Sequence, residues 1–192
     1  MSAERNNLGA AGELAIRSLI SKAPLASSLA EAFKAKGFQL ALVGGPVRDA
    51  LLGRLGNDLD FTTDAHPHET KKILKSWADN VWDTGIVFGT VAAKRGDTTV
   101  EVTTYRTEKY EEDSRKPDVE FGETIEGDLS RRDFTVNAMA LELTTKVPQF
   151  IDPFNGLEDL AKKAAAEKLY AEEGEKEKER SEEHTSELQS LA

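Results

Sequence analysis

The spacing of apolar positions changes along this chain, and the changes outline its elements. Between residues 12 and 36, Leu14, Leu19, Leu25, Leu29 and Phe33 recur at close to helical spacing. Pro24 interrupts them, so the pattern predicts two helical pieces, and Gly37 ends the second as a C′ glycine would. The run at 38–43 predicts a short buried strand. Gly44-Gly45-Pro46 breaks it, and 47–52 predicts a helix with Pro46 in its first turn, where a missing N–H costs nothing. Residues 59–63 predict a second strand, and 67–78 a helix with Ile73, Leu74 and Trp77 on one face. The β-rich runs 88–94 and 98–105 are joined by Arg95-Gly96-Asp97, a hairpin signal. The polar stretch 106–119 predicts a mobile loop. Residues 129–141 predict a helix packed through Phe134, Ala138 and Leu141, and 142–151 a second hairpin. No internal repeat is visible.

Composition narrows the classes. With 192 residues, 39% hydrophobic and 31% charged, the chain can build one ordinary domain but not a core along its whole length. A net charge of −10 argues against a uniformly basic surface for nucleic acid, though not against a local basic site. The absence of cysteine removes disulfides, a thiolate nucleophile and Cys-ligated zinc. No apolar run approaches the ~20 residues of a membrane span. The opening MSAERNNLGA lacks the basic-then-apolar layout of a secretory signal. The expectation is a soluble cytoplasmic protein with no membrane association and no evident protein partner.

Charge also marks a boundary. Residues 164–192 hold nine acidic and four basic side chains, half of the net excess, and few apolar ones. Such a stretch cannot offset its own ordering entropy, so it is expected to fray from a helix into disorder. Its end, SEEHTSELQSLA, resembles a stretch carried by unrelated chains through sequencing-adapter read-through, and the natural sequence is expected to differ after about Lys163. The expected organisation is an N-terminal helical segment over 1–37, one domain over 38–163, and an acidic, disordered or non-native tail over 164–192.

Four segments carry candidate chemistry. In Gly44-Gly45-Pro46-Val47-Arg48-Asp49 a strand ends, two glycines turn the backbone and a helix begins, which aims backbone N–H groups and Arg48 at one spot suited to a phosphate. By itself an ordinary strand–helix turn explains the two glycines more readily. Asp58 and Asp60 stand two apart on a strand and share a face. Their mutual repulsion is relieved by a divalent cation such as Mg²⁺; an exposed strand face or an N-terminal turn is the plainer alternative. Glu101 lies on a strand that alternates with Val100 and Val102, and would converge with the pair if its strand were a sheet neighbour. A solvated strand face explains it equally well. In Arg131-Arg132-Asp133-Phe134-Thr135-Val136-Asn137, Arg132 and Asn137 are left for polar work. Two arginines at a helix start oppose the macrodipole, a cost that an incoming anion would relieve. The plainer alternative is a surface ion pair with Asp128 or Asp133. His66-Pro67-His68 reads as a helix entry.

Taken together, LVGGPVRDALLGRLGNDLDFTT, VEVTTYR, RRDFTVNAMA and IDPFNGLEDL, in that order, resemble the head domain of the bacterial (class II) tRNA nucleotidyltransferase and poly(A) polymerase family. The similarity runs from about Leu40 to Lys163. It implies an α+β fold of the DNA polymerase β-like nucleotidyltransferase kind, a small, mostly antiparallel mixed sheet backed by helices. It implies metal-dependent transfer from CTP and ATP to the 3′ end of tRNA. Within it, Asp58 and Asp60 correspond to the Mg²⁺-holding pair and Glu101 to the third acidic position. Gly44, Gly45, Arg48, Arg132 and Asn137 fall on the nucleotide-contacting motifs. A poly(A) polymerase head is the alternative within the family, and a noncatalytic nucleotide- or metal-binding fragment the alternative outside it. The base-selecting acidic-x-x-arginine pair of the family's neck has no counterpart here: Glu158-Asp159-Leu160-Ala161-Lys162 has lysine in place of arginine.

Overall fold

The computed structural model describes residues 17, 20, 24–85, 88–109 and 118–164. The chain divides into the units Met1–Gly156 and Leu157–Ala192. In the first, helix α1 (Pro24–Lys34) buries Ala26, Leu29, Ala30 and Phe33. It ends in a Schellman turn: Gly37 has φ +83, its N–H donates to the Lys34 carbonyl at 3.0 Å, and Phe38 N–H donates to Phe33 at 3.1 Å. Of the first predicted helical piece, residues 17 and 20 are helical, while Leu14 and Leu19 lie outside the described residues.

Strands β1 (Leu40–Val43), β2 (Asp58–Thr63), β3 (Asn80–Gly85), β4 (Thr90–Arg95), β5 (Thr98–Thr104), β8 (Ala140–Glu142) and β9 (Gln149–Ile151) form one sheet in the order β3-β4-β5-β2-β1-β8-β9. The β2–β5 pair is parallel, and the other neighbouring pairs are antiparallel. Helix α2 (Gly45–Leu51) links β1 to β2, and α3 (Pro67–Trp77) starts the crossover that returns the chain to β5. Strand alternation sorts the side chains. Leu42 pairs with Phe61, and Phe61 with Val102, on the face covered by α1 and α3, where Leu29, Phe33, Ile73 and Leu74 are buried. Each large apolar side chain buried there contributes about 1.5–3 kcal/mol. Ala41, Val43 and Ala140 face the other way and pack with Tyr105, Ile125 and Leu129. Asp58, Asp60 and Thr62 belong to this second face.

Two expectations change, and one strand had not been anticipated. The stretch at 106–119 is not simply a loop: β6 (Arg106–Lys109) and β7 (Asp118–Phe121) pair as an antiparallel ribbon, with 110–117 outside the described residues. Strand β3 had no period-two signal because it is an edge strand with mostly exposed side chains, Trp82 at 41% among them. The predicted helix at 129–141 is three elements. Helix α4 (Ile125–Ser130), capped by Thr124 Oγ1 accepting from Gly127 N–H at 3.2 Å, ends at Ser130. A 3₁₀ turn at Thr135–Asn137 follows, and then β8. Leu129, Ala138 and Leu141 are all buried, but Phe134 between them is 60% exposed. Their helical spacing therefore came from a chain that reverses, not from one helix face.

The remaining predicted elements lie within a few residues of their expected places, including the Gly96 hairpin turn with φ +58 and the β8–β9 hairpin. A further helix covers 156–164, and in the second unit Lys162 Nζ bonds Glu158 Oε1 at 2.8 Å. The expected tail beyond residue 164 lies outside the described residues.

Candidate active site

The carboxylate edge comes from the alternation of β2. Leu59 and Phe61 are buried at 3% and 1%, which turns Asp58 and Asp60 to the opposite, exposed face. Parallel pairing sets Asp60 directly beside Glu101 of β5, so the conditional expectation for Glu101 is met. No hydrogen bond or salt bridge within the described residues engages any of these three carboxylates. Burial raises the pKa of Asp60, with Asp58 adding to the rise and Arg132 opposing it. Burial also raises Glu101, and Asp60 and Asp58 add to it. These groups thus sit in one negative field that lacks a bonded cation.

Among the described residues no three His, Asp or Glu side chains enclose a metal by themselves. The donors fit Mg²⁺ in a different way. Asp58 and Asp60 present unpaired oxygen ligands at a solvent-open edge. Mg²⁺ is commonly held by one or two carboxylates together with substrate phosphates and water.

The turn after β1 supplies the opposite chemistry. Gly44 has φ 69 and ψ −133, a conformation essentially reserved to glycine. Its N–H donates to the Met139 carbonyl at 3.2 Å, tying the turn to the segment before β8. A Cβ at Gly44 would lie 3.0 Å from Arg132 Nη1, whereas one at Gly45 would meet only Arg48 Nη2, at 3.6 Å. No side chain caps α2, and Pro46 lies in its first turn. Arg48 donates from Nη1 to Asn137 Oδ1 at 2.8 Å, and from Nε and Nη2 to Asp49 at 3.0 and 3.1 Å. The hydrogen bond from Arg48 is the main cause of a lowered Asp49 pKa.

Arg131 and Arg132 do not open a helix. They follow the last turn of α4, where cations complement the macrodipole rather than oppose it. The plainer alternative was half right: both arginines pair with Asp128, but that carboxylate is wholly buried, not at the surface. Arg132 Nε is buried without a hydrogen-bond partner. An unsatisfied charged donor of this kind is costly until an anion reaches it.

These pieces meet at a cleft of about 470 Å³ whose lining includes Asp60, Glu101, Thr90, Thr103, Arg131 and Arg132. Gly44 adjoins it through Arg132, while Asp58, Arg48 and Asn137 lie outside its lining, Arg48 being tied to Asn137 beside the Gly44 turn. Asp128 and Thr62 were missed as site residues. A D-x-x-R-R spacing was the signal for Asp128, but no local pattern marked Thr62. His66 enters α3 as expected and stacks edge-on against Phe121, with ring centroids 5.3 Å apart.

Residues 40–166 match the profile of the Poly A polymerase head domain. The chain belongs to this family. Similar members include CCA-adding enzymes. That of Streptococcus pneumoniae serotype 19F is 48% identical over 133 residues, covering 69% of this chain and 32% of the relative. That of Lactobacillus helveticus is 47% identical over 125 residues, covering 65% and 30%. The chain therefore spans about a third of the length of the curated relatives it matches.

Solved structures agree with the head-domain fold. A CCA-adding enzyme of Bacillus stearothermophilus in complex with CTP has a TM-score of 0.59 at 33% identity, covering 74% of this chain and 32% of that one. A tRNA nucleotidyltransferase complexed with a primer tRNA and an incoming ATP analog has a TM-score of 0.57 at 34% identity, covering 69% and 36%. Among the described residues of this head domain, no helix is long and apolar enough to cross a membrane.

Proposed function

We propose that the chain carries the centre for metal-dependent transfer of a nucleotidyl group from CTP or ATP to an RNA 3′ end, the CCA terminus of tRNA. One observation supports this above the others: unpaired carboxylates at Asp58, Asp60 and Glu101 share a sheet face with a cleft walled by Arg132. The carboxylates call for a cation and the unsatisfied guanidinium for an anion. A nucleoside triphosphate with its divalent cation is both. The relatives solved with CTP, and with a primer tRNA and an ATP analog, point to the same ligand class.

On this reading Asp58 and Asp60 would hold Mg²⁺. Bound there, Mg²⁺ would acidify the attacking hydroxyl and neutralise charge on the triphosphate. Gly44 and Gly45 let the backbone approach the phosphates. Arg48 and Arg132 donate charge-assisted hydrogen bonds to them, and Asn137 holds Arg48 in place. The RNA 3′-oxygen forms a bond to the α-phosphorus, and the bond from that phosphorus to pyrophosphate breaks. Glu101, paired with Asp60 across the sheet and lining the cleft, is placed to accept the hydroxyl proton. No side-chain nucleophile takes part.

The test is incubation with Mg²⁺, labelled CTP or ATP, and tRNA lacking its CCA end, beside calorimetric titration of a nonhydrolysable triphosphate. The expected result is Mg²⁺-dependent triphosphate binding that Asp60→Asn removes, with label entering RNA and pyrophosphate released. Absence of Mg²⁺-dependent binding would overturn the proposal. A second reading, a poly(A) polymerase head, has the description of the matching family in its favour. Runs of A without C would select it.

A further inference from the structure

We infer that Asp128 is a positioning residue that makes the adjacent arginines unequal, with Arg131 as the bracket and Arg132 as the group presented to phosphate. This rests on the triphosphate reading above. Asp128 is 0% exposed, and a carboxylate so placed persists only when its oxygens are bonded. Oδ1 accepts from Arg131 Nε at 3.1 Å, Arg131 Nη2 at 2.8 Å and Arg106 N–H at 3.2 Å. Oδ2 accepts from Arg132 Nη2 at 3.1 Å and shares the Thr62 hydroxyl proton, at 3.3 Å, with the Thr103 carbonyl at 3.2 Å.

The split between the two oxygens decides the roles. Arg131 gives one whole edge of its guanidinium, Nε and Nη2, to Asp128. Arg132 gives a single nitrogen. Its Nε has no partner, and its Nη1 stands 3.0 Å from the position a Gly44 Cβ would take. Arg132 is therefore fixed by one anchor through Nη2, with Nη1 left on the side of the glycine turn. One carboxylate between two guanidinium groups also leaves the cluster with a net positive charge for an anion. Thr62 adds a second link. It stands two residues from Asp60 on the same face of β2, so one strand fixes both the carboxylate edge and the arginine anchor. The spacing between cation and phosphate positions is then set by a single extended segment rather than by loops.

The test is a double-mutant cycle on the full chain, titrating a nonhydrolysable ATP analogue with Mg²⁺ by calorimetry. Circular dichroism and thermal melts check the fold of each variant. Arg132→Ala is expected to weaken binding by at least about 10-fold, the order for a hydrogen bond to a charged group. Asp128→Asn is expected to weaken it by about 10-fold alone and by almost nothing further in the Arg132→Ala background. Residues acting through one another are non-additive in this way. Thr62→Val, which keeps side-chain shape and removes the hydroxyl that Asp128 and the Thr103 carbonyl share, is expected to show a smaller loss with the same dependence on Arg132. It serves as the readout if Asp128→Asn does not fold. Wild-type affinity in the Asp128 or Thr62 variants, or losses that add independently to that of Arg132→Ala, would overturn the positioning role alone. No binding by the wild type, or an unchanged affinity in Arg132→Ala, would overturn the triphosphate reading and this inference with it.

Discussion

Arg48 Nη1 donates to Asn137 Oδ1 at 2.8 Å, joining residues 89 positions apart in the chain. Arg48 comes from the helix after β1 and Asn137 from the 3₁₀ turn before β8, so the bond closes the glycine turn onto the segment that follows Arg132. Asn137→Ala should leave Arg48 held by Asp49 alone, without the bond that fixes it beside the glycine turn. We expect triphosphate affinity to fall several-fold and stability by about 1 kcal/mol, the scale of one partly exposed hydrogen bond. Calorimetry and thermal melts check both. A lower melting temperature with unchanged affinity would show the bond to be structural only.

The two glycines should fail differently. Gly44→Ala forces a side chain into a glycine-only conformation, costing about 1–3 kcal/mol, and its Cβ meets Arg132. Gly45→Ala has room in the ligand-free chain. It should therefore melt close to wild type yet bind triphosphate more weakly, because the added methyl occupies the path of the phosphates. Comparing melting temperature with affinity separates the two variants, and loss of stability at Gly45 with normal binding would contradict the assignment.

The raised pKa of Asp60 sets a pH dependence. A folded-state carboxyl pKa above its ordinary value means that the folded chain binds more protons than the unfolded one. Stability must then fall as pH rises from the ordinary carboxylate range through the raised value. Without metal, Asp60→Asn should melt above wild type at neutral pH, and the gap should close as the pH is lowered through that window. Adding Mg²⁺ should stabilise wild type at neutral pH and leave Asp60→Asn unmoved. Melts across pH with and without Mg²⁺ decide it, and equal responses of the two proteins would remove Asp60 from the metal site.

Gly156 locks the turn that carries Asn137. A Cβ there would overlap the Thr135 carbonyl oxygen and lie 2.9 Å from Met139 Cγ, while its N–H is held by Asp152 Oδ1 at 2.7 Å. Gly156→Ala must push the turn away, and we expect a loss of about 1–3 kcal/mol, typical of overpacking. Triphosphate affinity should fall with it, because Asn137 and Arg48 move together. Thermal melts and calorimetry on the same preparation test this, and wild-type values in both would show that the loop yields instead.

Base selection should be absent. The grouped residues offer ligands for phosphate and cation, and phosphate contacts carry no base information. CTP and ATP are expected to compete with comparable affinity, and tRNA to bind weakly, since a net charge of −10 repels its backbone. A competition titration is the measure, and a tenfold preference for one base would locate selection within this chain.

Local physics determined part of this in the sequence alone. Alternation of Asp58 and Asp60 with Leu59 and Phe61 had to place both carboxylates on the face opposite the core, because strand side chains alternate. Gly44 had to be a turn and Gly37 a helix end, because one closes an apolar strand and the other a helical pattern, each with a residue free to take positive φ. Order and spacing of the motifs also carried the family. What the sequence left open were relations between distant segments. Glu101 joins Asp60 only because β5 returns parallel to β2, and β3 was invisible because an edge strand buries little. The span at 129–141 misled for a related reason: periodicity records which residues are buried, not whether the chain reverses between them. That reversal moved Arg131 and Arg132 from a helix start to a helix end. Only tertiary packing then buried Asp128 between them, and a buried carboxylate must be answered by whatever donors the fold brings within reach.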